Sequence, residues 1–208
     1  MTSDTRKWAA PKERVSRQEA EESLIAAVIA LVDTTPIADI TIHQLAQEAG
    51  VNFGYINRYF ESRLNLFAAA TDALADLGIK ELRKTVHLLY MNNQGRPENV
   101  SELELKATRN SMMPLGVKRL QIVQFLVLSG VPAERFVKKS QEVMEAGIEA
   151  TTNAGLDPVL ARARIIHGIA MMWSAATLGP VLGVSLDELQ KSYEVFFADA
   201  TNTSKDTK

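Results

Sequence analysis

Tyr55, Asn57, Arg58 and Tyr59, packed into five positions, carry most of the recognition chemistry in this 208-residue sequence. Asparagine pairs bidentately with adenine, and arginine with guanine or phosphate. Tyrosine hydroxyls hydrogen-bond the sugar-phosphate backbone. Just upstream, Phe53 is suited to touch a thymine methyl, and Gly54 lets a phosphate come close to the main chain. Such a cluster points to duplex DNA and away from catalysis. The three histidines, His43, His87 and His167, show no paired metal-ligand spacing, and the sequence has neither a Gly-x-Ser-x-Gly elbow nor a Gly-rich phosphate loop. With no cysteine, disulfides, thiolate metal sites and thiol nucleophiles are excluded. The expectation is a non-enzyme that needs no cofactor and no metal.

These side chains need a rigid carrier, and the flanking residues supply one. Thr41 and Gln44 form a capping box, with Ile40 and Leu45 as its hydrophobic staple. A short helix from Thr41 to Ala49 then aligns Ile42, Leu45, Ala46 and Ala49, and Gly50 allows a tight turn. A second helix starts at Asn52, a good N-cap, and ends near Tyr59. Val51, Ile56 and Phe60 pack inward, which leaves Phe53, Gly54, Asn57 and Arg58 outside with Tyr55 and Tyr59 at the flanks. Helix, short turn, helix is the geometry that seats a recognition helix in the major groove. Arg63, in the first turn of the following helix, is expected to hold a phosphate with help from that helix's positive end. Thr41 and Asn52, at the two helix starts, complete the candidate DNA contacts. Two ordinary bundle helices are the plainer alternative, but that gives no reason for two tyrosines flanking Asn-Arg.

The stretch resembles the helix-turn-helix signature of the tetracycline-repressor (TetR) family. The matching residues are Thr41, Leu45, Ala46, Ala49, Gly50, Val51, Gly54, Ile56, Phe60, Ser62 and Leu66. Asn52 replaces the usual capping serine, and Arg63 the usual lysine. Pro36, Asn57, Tyr59 and Leu64 depart from the family's glycine, tyrosine, histidine and glutamate. The resemblance covers roughly residues 14 to 67. It implies an all-α fold, an N-terminal three-helix DNA-binding domain, a larger C-terminal domain that binds a ligand and dimerises through its last two long helices, and repression as the usual outcome.

Bulk charge does not carry the DNA reading. The net charge is -2, and the residues up to Asn65 hold seven Lys and Arg against nine Asp and Glu. Five of those seven cations, Arg6, Lys7, Lys12, Arg14 and Arg17, precede the first helix. They form either a solvated tail or an arm that enters the minor groove. The expected organisation is a flexible basic arm at 1–17, a helix-turn-helix domain at 18–64, a helical ligand-binding and dimerisation domain at 65–200, and a disordered tail at 201–208.

Helical signals continue to the end of the chain, with no alternating strand and no internal repeat. The first helix is expected over Gln18–Asp33 with Pro36 as its stop. Ser101 with Glu104, and Ser185 with Glu188, repeat the capping grammar, and Asp157-Pro158 marks another helix start. With Gly95, Pro114, Gly130, Gly155 and Gly179 as breakers, about nine helices are expected. The charge-free helix Ile165–Leu178 falls short of the roughly 20 residues of a membrane span. No signal peptide opens the chain, so a soluble cytoplasmic protein is expected. A helix apolar all round needs cover on every side. Together with Leu186, Leu189, Tyr193 and Phe196 of the last helix, it predicts a homodimer and hence a palindromic operator. Met91, Met112, Met113, Phe125, Met144 and Trp173 are the candidate lining of a pocket for a small apolar effector, the alternative for each being plain core packing. The rival to a DNA-binding regulator is a protein-interaction module that keeps the fold without binding DNA, a reading that the acidic first domain invites.

Overall fold

The computed structural model describes residues 15–92, 102–153, 157–177, 179–185, 188 and 191–192. Among them the only regular elements are helices: α1 (Arg17–Leu31), a 3-10 turn (Ile37–Asp39), α2 (Ile42–Glu48), α3 (Gly54–Phe60), α4 (Arg63–Asn92), α5 (Glu102–Leu128), α6 (Glu134–Asn153), α7 (Pro158–Thr177) and α8 (Gly179–Leu182). None of the helices in the described residues is long and apolar enough to cross a membrane.

Local hydrogen bonds explain where these helices begin and end. Thr41 Oγ1 accepts from the Gln44 amide at 3.2 Å, while the Thr41 amide donates to Gln44 Oε1 at 2.8 Å. The same reciprocal box starts α1 at Ser16 and Glu19, one residue before the expected start, so Arg17 belongs to a helix and not to an arm. Asp157 Oδ1 accepts from the Val159 and Leu160 amides and caps α7. Ser185 and Glu188 also pair reciprocally, whereas Ser101, Gly95 and Gly155 lie outside the described residues. Between α2 and α3, Gly50 at φ +66° lets its own amide reach Gln47 O and the Val51 amide reach Ala46 O. That pair of bonds is a Schellman stop, which requires a left-handed residue and suits glycine. Gly130, at φ +91°, ends α5 with the same two bonds.

Two expected stops are displaced. α1 closes at Leu31, five residues before Pro36. Pro114 does not break the chain at all: α5 runs through it. Proline removes one N–H from the ladder and frees the carbonyl four residues earlier. Here Pro114 sits on the exposed side of a long helix, and packing on α4 and α7 holds the helix together on either side of it.

One core joins the two ends of the fold. Leu24, Val28, Leu45 and Ile56 from the first three α-helices and Ile40 from the end of the 3-10 turn are fully buried together with Leu66 and Phe67 of α4 and Ile122 and Leu126 of α5. The expected boundary at residue 64 thus falls in the first turn of a continuous helix, and the helix-turn-helix shares its core with the body. Burying each of these side chains stabilises the fold by about 1.5–3 kcal/mol before entropy is counted. Arg135 to Asp72 at 2.7 Å and Lys139 to Asp76 at 2.8 Å tie α6 to α4 at the surface.

Candidate nucleic-acid interface and the groove behind it

The two sides of α3 differ sharply. Ile56 is completely buried, and Val51, Tyr55 and Phe60 pack against the core. On the opposite side Phe53 is 48% exposed, and Asn57 and Arg58 are exposed beside it. Phe53 lies 5.0 Å from the His43 ring, which places a histidine of α2 at the edge of the same surface.

Tyr59 is held in a stack. The Arg17 guanidinium lies 5.4 Å from its ring centroid and that of Arg58 lies 5.6 Å away. The Tyr55 ring is 5.2 Å from it. Glu21 bonds Arg17 and raises its pKa, chiefly through the hydrogen bond between them. Cation–π contacts of this kind are worth about 0.5–1 kcal/mol at exposed sites, enough to fix a rotamer. Sequence reading placed Arg17 among the basic arm residues and missed its contact with Tyr59; a Ser-x-x-Glu box at Ser16 was the signal that could have found it.

Other candidates have partners of their own. Asn52 is not the formal N-cap, since α3 begins at Gly54, but its Oδ1 accepts from the Gly54 amide at 2.8 Å and so ties the approach to the helix. Thr41 Oγ1 is engaged by both the amide and the side chain of Gln44. Arg63 turns back across the 3-10 turn, where Nη1 donates to the carbonyls of Ile40 and Ala38 while the guanidinium lies over Phe67. Its donors serve the main chain that carries α2, because those carbonyls lie at a turn without helical partners of their own. The arm residues Arg6, Lys7, Lys12 and Arg14 lie outside the described residues.

Of the four expected pocket residues whose side chains are described, two come together. Met144 of α6 and Trp173 of α7 line an open groove of about 640 Å³. Val123, Val127 and Leu128 of α5 form another wall, and Phe136, Val137 and Ile169 extend the apolar surface. Phe125 points instead to α4, 5.9 Å from the Phe67 ring, because two residues along a helix turn a side chain through about 200° from Val123. Met113 is buried roughly 15 Å along α5 from Val123, outside the groove walls. The side chains of Met91 and Met112 lie outside the described residues. Gln124, Ser140 and Gln141 are the polar points of the lining. No cluster of residues able to hold a metal ion occurs among the described residues.

No family model matches the chain, and no curated protein does. Among solved structures it is similar to a regulatory protein TetR from Rhodobacter sphaeroides at 15% identity, covering 85% of this chain and 96% of that one with a TM-score of 0.57. A TetR transcriptional regulator from Rhodococcus sp. RHA1 aligns at 18% identity over 85% and 91% of the two chains, with a TM-score of 0.48. The helix order, the capped helix-turn-helix and the first of these likenesses together give the chain the TetR-type fold.

Proposed function

We propose that this chain is a sequence-specific DNA-binding transcriptional regulator that acts as a homodimeric repressor and is released by a small, largely apolar ligand. The observation that carries the reading is the exposed side of α3: Phe53, Asn57 and Arg58 stand clear on a helix whose opposite side is anchored by fully buried Ile56. Asn57 and Arg58 supply base or phosphate contacts, Phe53 supplies an apolar one, and Tyr59 is oriented by its two guanidinium neighbours.

The dimer reading draws on α7. Val159, Ile166 and Trp173 are seven residues apart and 79%, 46% and 42% exposed, so one apolar stripe of the helix is left partly open among the described residues, with Trp173 also at the edge of the groove. Heptad spacing suits packing against a twin across a two-fold axis. Leu186, Leu189, Tyr193 and Phe196, the expected companions of that stripe, lie outside the described residues. Two recognition helices on such a body need half-sites about 34–36 Å apart.

Release is supported by the position of α5. One side of it walls the groove through Val123 and Val127; Ile122 and Leu126 enter the core shared with α1. Lys118 Nζ donates to the Ile29 carbonyl at 3.0 Å and to Asp33 Oδ2 at 2.7 Å, which fastens α5 to the end of α1. A ligand that displaces α5 therefore displaces α1 and with it the reading helix, a coupling typically worth about 1–3 kcal/mol. Selection of bound sequences from random duplex DNA tests the whole reading. The expected product is a palindrome with half-sites one helical turn apart, and a folded protein that enriches no sequence would remove it.

A further inference from the structure

Behind the groove lies a cation with an incomplete set of counter-charges. Arg119 of α5 is 7% exposed, yet among the described residues no carboxylate comes within ion-pair distance of it. Its Nε donates to the Thr71 carbonyl at 3.2 Å and its Nη2 to Ser140 Oγ at 3.1 Å, both neutral acceptors. Burial pushes its pKa down, and the charge of Asp72 only partly offsets that. Asp72 is itself shared: Arg135 takes its Oδ2 at 2.7 Å, while its Oδ1 is buried without a partner. Two guanidiniums thus flank one carboxylate, and the surplus positive charge is on the buried one. Buried guanidinium without a matching anion is a costly arrangement in a core and a useful one in a binding site.

Its position is what makes it useful. Arg119 stands one and two turns before Val123 and Val127, on the same stripe of α5 that walls the groove. Ser140, its hydrogen-bond partner, is part of the groove lining. We infer that the groove takes a small amphipathic carboxylate, whose apolar body lies on Val123, Val127, Met144 and Trp173 and whose anionic head reaches past Ser140 to Arg119. The head accepts from Nη2 in place of Ser140 Oγ, and the freed Ser140 hydroxyl donates to the second carboxylate oxygen. Lys118, the residue that fastens α5 to α1, is the chain neighbour of Arg119, so seating the head pulls at the point where the body meets the reading domain. The groove volume of about 640 Å³ is in the usual range for ligands of this size. This inference rests on the groove being the ligand site of the preceding reading.

The test uses the full chain carrying Trp8→Phe, which leaves Trp173 as its one tryptophan, and compares sub-micellar decanoate with decanol. Trp173 emission and calorimetry report binding. The expected result is saturable binding of decanoate, one per chain, at least tenfold tighter than decanol and with a change in Trp173 emission. Arg119→Met is expected to abolish that preference while decanol binding stays within about threefold; Arg119→Lys, which keeps the charge, retains part of it. Equal affinity for both probes in the Trp8→Phe protein, a result that does not depend on any Arg119 variant folding, overturns the carboxylate head but leaves an apolar groove. Binding of neither probe, or binding that leaves Trp173 emission unchanged, overturns the groove as the ligand site and the inference with it.

Discussion

The reading head and the groove are built from the same residue types by opposite rules. In the head, each short helix has a reciprocal box, a glycine stop or a side-chain tie at its ends, and Leu45, Ile56 and Leu66 are wholly enclosed. In the groove, Val127, Val137 and Trp173 are each at least two-fifths exposed, and Leu128 is 80% exposed. A recognition surface works only if its side chains are held in one geometry, so its supports are over-determined. If the groove takes a ligand, as proposed, it needs apolar area that is not already satisfied by the fold, and residues left open to water provide it. The difference teaches that rigidity and receptivity have been placed on opposite sides of α5, with that helix as the link.

The contrast is broken most severely by Ile56→Ala. Truncating a fully buried isoleucine costs about 2–5 kcal/mol, and a lowered melting temperature should accompany loss of all DNA binding. Arg58→Ala is expected to weaken operator binding at least tenfold, about 1.4 kcal/mol, while circular dichroism shows an unchanged fold. If Arg58 meets phosphate, the same variant lowers the salt slope by about one. Next comes Gly50→Ala, which forces a side chain into the left-handed region and costs about 1–2 kcal/mol in thermal unfolding. Leu128→Ser, in the groove, should stay within about 0.5 kcal/mol of the parent because its site is mostly water already. A Leu128 effect as large as that of Ile56 would erase the distinction between the two regions. The smallest effect concerns Glu19, whose carboxylate is held below its ordinary pKa first by the Ser16 amide and then by the Ser16 hydroxyl. A depressed folded pKa means that the contribution is complete above the unfolded value near 4.5 and is lost as pH falls through the folded one. The melting difference between the parent and Glu19→Gln should therefore narrow as pH falls from 4.5 through the lowered folded value.

How much of this was legible in sequence depended on how local the cause was. The Thr41–Gln44 box, its Ile40–Leu45 staple and the Asp157 cap are settled by residues two to five apart, and they stand where expected. The inward pair Ile56 and Phe60 follows from helical period alone, and Val51 packs beside them from the turn before α3. The hydrogen bonds of Arg63 to Ile40 and Ala38 were not foreseen, because those carbonyls are more than twenty residues away and a 3-10 turn leaves them free. Pro114 was read as a stop because single-residue propensity cannot register the packing of a 27-residue helix on both neighbours. The groove was hardest to see: Val127, Ser140 and Ile169 meet only once three helices have docked, and methionine content picked out Met144 but also Met113, which does not line it.

Everything said of the reading head depends on the outward side of α3 meeting a charged double strand. The most direct test is a salt series on the full-length protein with its selected duplex, followed by fluorescence anisotropy. The account predicts that log affinity falls linearly with log salt, by about 10³ or more between 50 and 200 mM for six or more phosphate contacts. Affinity that does not change with salt, or no binding at the lowest salt by a folded protein, would contradict it and favour a module that keeps the fold for protein partners.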